Sequence, residues 1–104
     1  MKTPHGMIIN KTAAENGLTL SLEGRLDTNT APELEKTLNG SLDGVNALTF
    51  DLSGLEYISS AGLRILLAAH KKMSGKGSMK IRGAQSAIKE IFDITGFSSI
   101  LTIE

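Results

Sequence analysis

The segment Asp51-Leu52-Ser53-Gly54-Leu55-Glu56-Tyr57-Ile58-Ser59-Ser60-Ala61-Gly62-Leu63-Arg64 decides how this chain is read. A β-rich run, Ala47 to Leu52, precedes its centre, and a long apolar run from Leu63 to Met73 follows with the character of a helix. Two serines therefore fall where a strand hands over to a helix, with Ala61 and Gly62 keeping the backbone open beside them. A hydroxyl at a helix start is exposed, lies next to unpaired backbone N–H groups, and tolerates negative charge. It serves either as a plain cap or as a place where a phosphate is added and removed.

Working outward, the pattern predicts an alternation of strands and helices. Met7 to Thr12 reads as a first strand and Asn16-Gly17 as a hairpin turn. Leu18, Leu20 and Leu22 alternate with polar residues in a second, half-buried strand, and Gly24 to Thr28 reads as a loop. Thr30-Ala31-Pro32-Glu33 has capping-box spacing, so a helix burying Leu34, Leu38 and Leu42 should follow and end at Gly40 or Gly44. Leu48, Phe50 and Leu52 share one face of a third strand. The second helix opens at Ser59/Ser60 and ends before Ser74-Gly75-Lys76-Gly77. Met79, Ile81 and Ala84 mark a fourth strand; a third helix runs from Ser86 to Gly96 with Ile88, Ile91 and Phe92 inward; Ser98 to Glu104 is a short turn and a last strand. The expectation is an α/β fold: a mixed sheet of four or five strands, covered mainly on one face by helices.

Bulk composition narrows the function. The 104 residues suit one domain, residues 1–104, with 40% hydrophobic and 21% charged side chains. Eleven basic residues balance eleven acidic ones, which argues against nucleic acid as a partner. With no cysteine there is no disulfide, thiolate metal site or cysteine nucleophile. Three Phe, one Tyr and no Trp make a poor stacking platform. Met1 to Gly6 carries no apolar leader, and no apolar run has transmembrane length, so a cytoplasmic domain away from membranes is expected.

Enzymatic motifs are incomplete. The nucleophile elbow G-x-S-x-G is half met, since Gly62 follows Ser60 by two residues but Ile58 precedes it. The two histidines are His5, at the N-terminus, and His70, two turns along the helix and facing away from its start, which suits a helix-surface or core-edge residue. Gly75-Lys76-Gly77-Ser78 lacks the glycine and the Ser/Thr placement of a P-loop. No metal-ligand spacing is visible, and no cofactor is expected. Lys71, Lys72 and Lys76 read as a solvated cluster complementing the helix C-terminus. A phosphate on Ser60 would be tolerated by the helix start yet would change a surface, so a binding switch fits better than catalysis.

Two motifs then give a resemblance. Gly24-Arg25-Leu26-Asp27-Thr28-Asn29-Thr30 matches the G-x-[LI]-D-x-x-[TN] loop of the STAS domains, and Asp51 to Leu63 resembles their strand–loop–helix segment ending in D-S-[ST]-G-[LV]. The chain is similar to a stand-alone STAS domain of the bacterial anti-sigma factor antagonists over essentially its whole length, with the family's final C-terminal helix short or missing. The resemblance implies that Ser60, with Ser59 as the alternative, is phosphorylated by an anti-sigma factor that is itself a serine kinase with a histidine-kinase-like ATPase fold. It implies further that the unphosphorylated form binds that kinase and frees a sigma factor, that the phosphorylated form lets go, and that a metal-dependent serine phosphatase resets it. Asp27, Thr28, Asn29 and Thr30, with Tyr57, Ile58, Ser59, Ala61, Gly62 and Arg64, would form the partner-binding surface. One departure is Ser59, where the family often carries Asp; it removes a negative charge beside the acceptor. The alternatives are a STAS subunit of a signalling scaffold or lipid-transport complex with no kinase partner, and a small enzyme using the Ser60 hydroxyl.

Overall fold

The first reversal of the chain shows how tertiary pairing reshapes local signals. In the computed structural model, which describes residues 6–104, strands β1 (Ile8–Ala13) and β2 (Gly17–Leu26) form an antiparallel pair with Ala13 opposite Leu18. The Ala14 N–H donates to the Gly17 carbonyl at 2.9 Å, so Glu15 and Asn16 make the turn. The Asn16-Gly17 turn expected from sequence is thus displaced by one residue. Gly17 opens β2 instead, because it is needed for pairing with Ala47 on the next strand. His5 lies outside the described residues.

The remaining elements are α1 (Ala31–Asn39), β3 (Ala47–Ile58), α2 (Ser60–Met73), β4 (Ser78–Arg82), α3 (Ser86–Thr95), a 3-10 turn (Phe97–Ser99) and β5 (Thr102–Ile103). The sheet has five strands in the order β1-β2-β3-β4-β5, parallel from β2 onward. Strand order advances in one direction, so right-handed crossovers place α1, α2 and α3 on the same face. The Cα extents of 32 × 31 × 19 Å fit one sheet and one layer of helices. Between those layers lies the core. Leu18, Leu20, Leu22 and Leu26 from β2 and Leu48, Phe50, Leu52, Leu55 and Ile58 from β3 meet Leu34 and Leu38, Leu63 and Leu66, and Ile88 and Phe92 from the three helices. The mixed, one-sided α/β sheet expected from the sequence is therefore what forms.

Both central strands are longer than their local sequence predicts. β2 continues through Gly24, Arg25 and Leu26, and β3 continues through Leu55 to Ile58, where loops were expected. The two extensions pair with each other, from Gly24 opposite Leu55 to Leu26 opposite Ile58. β3 accommodates an extra residue at each of two register shifts, between Ser21 and Glu23 and between Gly24 and Arg25 of its partner. Its pairing with β4 stops at Asp51 opposite Arg82, so its last turn of chain stands beyond β4 beside β2. The Asp51 carboxylate holds the point of departure, accepting from the Ser53 hydroxyl at 2.7 Å and the Ser53 N–H at 3.0 Å.

Other differences are smaller. Leu42 is buried as expected, but it lies past the end of α1, which closes at Gly40. Ala84 is buried after β4 rather than within it. Gly96 closes α3 in the left-handed conformation at φ 81°, as its position suggests. After Thr95 the only helical element among the described residues is the 3-10 turn.

Gly24 is the backbone position on which the extended pair depends. Its φ is 96°, and a Cβ there would stand 2.5 Å from the Gly6 carbonyl oxygen. Gly24→Ala should therefore lower stability by about 1–3 kcal/mol. A fall in the urea midpoint with an unchanged slope is the expected result, and an unchanged midpoint would contradict the strained geometry.

Candidate functional site

The β2–β3 extension brings two helix starts into one corner. The Ser59 N–H donates to the Leu26 carbonyl at 2.9 Å, joining the chain just before α2 to the chain just before α1. Residues 27–30 and 57–62, separated in sequence, thereby become neighbours at the C-terminal end of parallel strands. Ligand and partner sites of α/β sheets gather there because the connecting loops and helix N-termini converge.

The first loop is organised by Asp27. Its Oδ1 accepts from the Asn29 N–H at 2.9 Å and the Thr30 N–H at 3.1 Å, and its carbonyl accepts from the Ala31 N–H at 2.8 Å. Thr30 is fully buried; its hydroxyl accepts from the Asp27 N–H and donates to the Arg25 carbonyl, both at 2.8 Å. The capping box expected at Thr30 and Glu33 is therefore not made, because the Thr30 hydroxyl is committed to the loop behind it. Arg25 completes this group. Its Nε lies 3.7 Å from Asp27 Oδ2, and its guanidinium sits 4.1 Å above the centre of the Tyr57 ring, the residue opposite it on β3. Desolvation opposes ionisation of Asp27, but the hydrogen bonds from Asn29 and Thr30 and the nearby Arg25 charge outweigh it and hold the carboxyl below its ordinary range.

The two serines divide their roles. Ser59 is the N-cap of α2, with extended backbone and a side-chain oxygen accepting from the Gly62 N–H at 3.4 Å. Ser60 is the first helical residue, is exposed, and its hydroxyl has no hydrogen bond among the described residues. Gly62 is explained by packing: a Cβ would lie 2.7 Å from Leu26 Cγ and 2.9 Å from Ile58 Cγ1. Close seating of α2 on the strand ends requires its absence.

Burial sorts the residues expected to meet a partner. Asp27 and Ser59 are half-buried, Thr28, Asn29, Tyr57, Ser60 and Arg64 are exposed, and Ala61 is half-buried at the corner. Thr30, Ile58 and Gly62, also expected at the partner surface, are buried in this structure. Sequence reasoning missed two features. One is Arg25, whose pairing with Tyr57 depends on the unexpected strand extension. The other is a groove of about 470 Å³ between α1 and α2, with Ala31, Pro32, Ala61, Ile65 and Ala68 along it and Glu35, Arg64 and Lys71 at its rim. Its signal was present as a second helical stripe at 61, 64, 65, 68 and 71, masked by the stronger core stripe at 63, 66 and 73. Of the lysine cluster, Lys72 hydrogen-bonds the Asn39 side chain and Lys76 donates to the Leu42 carbonyl at 2.6 Å, fastening α2 to the end of α1.

No three His, Asp or Glu side chains converge among the described residues in a way that could hold a metal, and none of their helices is long and apolar enough to cross a membrane.

One sheet with helices on a single face, and a serine exposed where β3 passes into α2, define the class of protein. The STAS domain model matches residues 9–104, and the chain belongs to that family. Among its relatives is BtrV of Bordetella bronchiseptica, named as a candidate anti-sigma factor antagonist, 34% identical over 79% of this chain and 72% of that protein. An anti-sigma factor antagonist from Mycobacterium paratuberculosis superposes with a TM-score of 0.87 at 25% identity, covering 99% of this chain and 89% of the other. The Bacillus cell fate determinant SpoIIAA, solved in its phosphorylated form, shares the fold at a TM-score of 0.74 and 12% identity, over 93% and 91% of the two chains.

Two outcomes test this geometry. Ser59→Ala should cost about 1 kcal/mol of stability, and Ser60→Ala less than about 0.5, since only the former removes a cap; equal losses in chemical denaturation would refute the division of roles. Asp27 has a lowered folded pKa, so its contribution is complete above the ordinary carboxylate value of 3.8 and is lost as pH falls through the lower folded value. Asp27→Asn should therefore flatten the fall in stability between about pH 5 and pH 2. A curve as steep as that of the unaltered protein would show that the charge contributes nothing.

Proposed function

We propose that this chain is an anti-sigma factor antagonist whose binding is switched by phosphorylation at Ser60. The observation that carries the reading is the exposed Ser60 hydroxyl at the first turn of α2, without a hydrogen bond among the described residues, at the corner that also carries Asp27, Thr28, Asn29 and Tyr57. The names of its relatives support the antagonist class, and phosphorylated SpoIIAA supplies a fold neighbour in which the modification occurs.

The chain acts by binding and is itself a kinase's substrate. The partner is an anti-sigma factor serine kinase with a histidine-kinase-like ATPase fold, meeting the antagonist in the cytoplasm. Phosphoryl transfer forms the Ser60 Oγ–P bond as the bond from the γ-phosphorus of ATP to the bridging oxygen breaks. ADP leaves, and the hydroxyl proton passes to a base on the kinase. A metal-dependent serine phosphatase reverses the change by hydrolysis.

Electrostatics favour release over unfolding. A phosphate of charge near −2 at a helix N-terminus is stabilised by the helix dipole, so the domain stays folded. A partner seated on the corner must desolvate that charge, at a cost of several kcal/mol against the roughly 8 kcal/mol of a micromolar complex.

The test uses the full chain and each ATPase-fold anti-sigma factor of the same genome. Ser60→Asp should weaken binding at least tenfold with the fold intact. Ser60→Ala should bind and stay bound when ATP is added, whereas the unaltered chain should gain one phosphate on Ser60 and dissociate. Binding unaffected by ATP, with no phosphate gained, would overturn the switch and favour a constitutive antagonist or scaffold, and neither phosphate nor binding would favour a lipid-transport subunit.

A further inference from the structure

Arg64 stands out among the three arginines of the chain. Arg25 is engaged by Asp27 and Tyr57, and Arg82 by Asp51 at 3.5 Å. Arg64 is exposed at the rim of the α1–α2 groove and has no ion pair or hydrogen bond from its side chain among the described residues. It lies four residues after Ser60 on the same helix, so the two side chains are neighbours on one face, with Cβ atoms roughly 5–6 Å apart. Side chains on a helix lean toward its N-terminus, so Arg64 covers the turn that begins at Ser60. An anion four residues ahead of a cation is also the favourable order along a helix. No acidic side chain occupies the first turn of α2, and Glu35, across the groove on α1, makes no ion pair with Arg64 among the described residues.

We propose that Arg64 is the intramolecular counter-ion for a phosphate on Ser60. In the unphosphorylated protein its guanidinium is available at the groove rim to a carboxylate of a partner. After phosphorylation it turns back by one helical turn and pairs with the phosphate oxygens through two parallel N–H donors, a geometry that lysine does not reproduce. The modification then acts on the surface twice, adding a dianion at the corner and withdrawing a cation from the groove.

This inference rests on the reading of Ser60 as the phosphate acceptor, and its test needs no kinase. Phosphoserine is installed at position 60 during translation in chains carrying Arg64, Arg64→Lys or Arg64→Ala, and the second ionisation of the phosphate is followed by phosphorus NMR. The helix N-terminus acts equally in all three. The Arg64 chain should titrate lowest, about 0.3 pH unit below Arg64→Ala, with Arg64→Lys between them and the gap shrinking in high salt. Coincident midpoints, with circular dichroism showing all three folded, would overturn the pairing and leave the switch reading intact. Failure of every candidate kinase to modify Ser60 would instead remove the switch reading and leave the titration result standing.

Discussion

Everything at the candidate site depends on the parallel pairing of β2 and β3 at their C-terminal ends. Leu26 opposite Ile58, and the Ser59 N–H donated to the Leu26 carbonyl, fix the starts of α1 and α2 next to each other. Two helix N-termini side by side concentrate donor groups and positive potential on one small area. The rest of the structure serves this placement. The core seats the helices, Gly62 lets α2 approach the strand ends, and the bulges let β3 run past β4 to reach the corner.

Around that corner, polar groups are assigned either to structure or to exposure. Asp27 and Thr30 spend their hydrogen-bonding capacity on the loop between β2 and α1, and Ser59 spends its oxygen on the cap of α2. Ser60 and Arg64 are left exposed on one helix face, their side chains uncommitted among the described residues. Such a division lets a surface charge be added or removed without dismantling the fold, because the groups that hold the backbone are different from those that meet solvent. A binding switch needs this separation, since a hydroxyl required for folding is a poor place to write a signal.

Much of this was legible in the sequence. Alternating Leu18, Leu20 and Leu22, the run through Leu48, Phe50 and Leu52, and the helical stripes around Leu66 and Phe92 gave the elements and their faces. The misreadings share one cause. Asn16-Gly17 is locally a turn, Gly24 to Thr28 locally a loop, and Thr30 to Glu33 locally a capping box. In each case a partner distant in sequence, or a competing hydrogen bond, outweighed a preference of about 1 kcal/mol or less. Arg25 illustrates the limit: nothing in its neighbours announces that Tyr57, thirty-two residues on, will lie directly across from it.

By itself, the sequence determined the class of fold, the strand-to-helix position of Ser59 and Ser60, and which faces are apolar. These follow from periodicity and local propensity, which act over a few residues. Only the tertiary structure decided which expected contact residues are buried, and that Arg64 is the arginine left without a side-chain partner among the described residues. Those outcomes depend on register and on competition among polar groups from separate segments. Such competition is settled only when the segments meet.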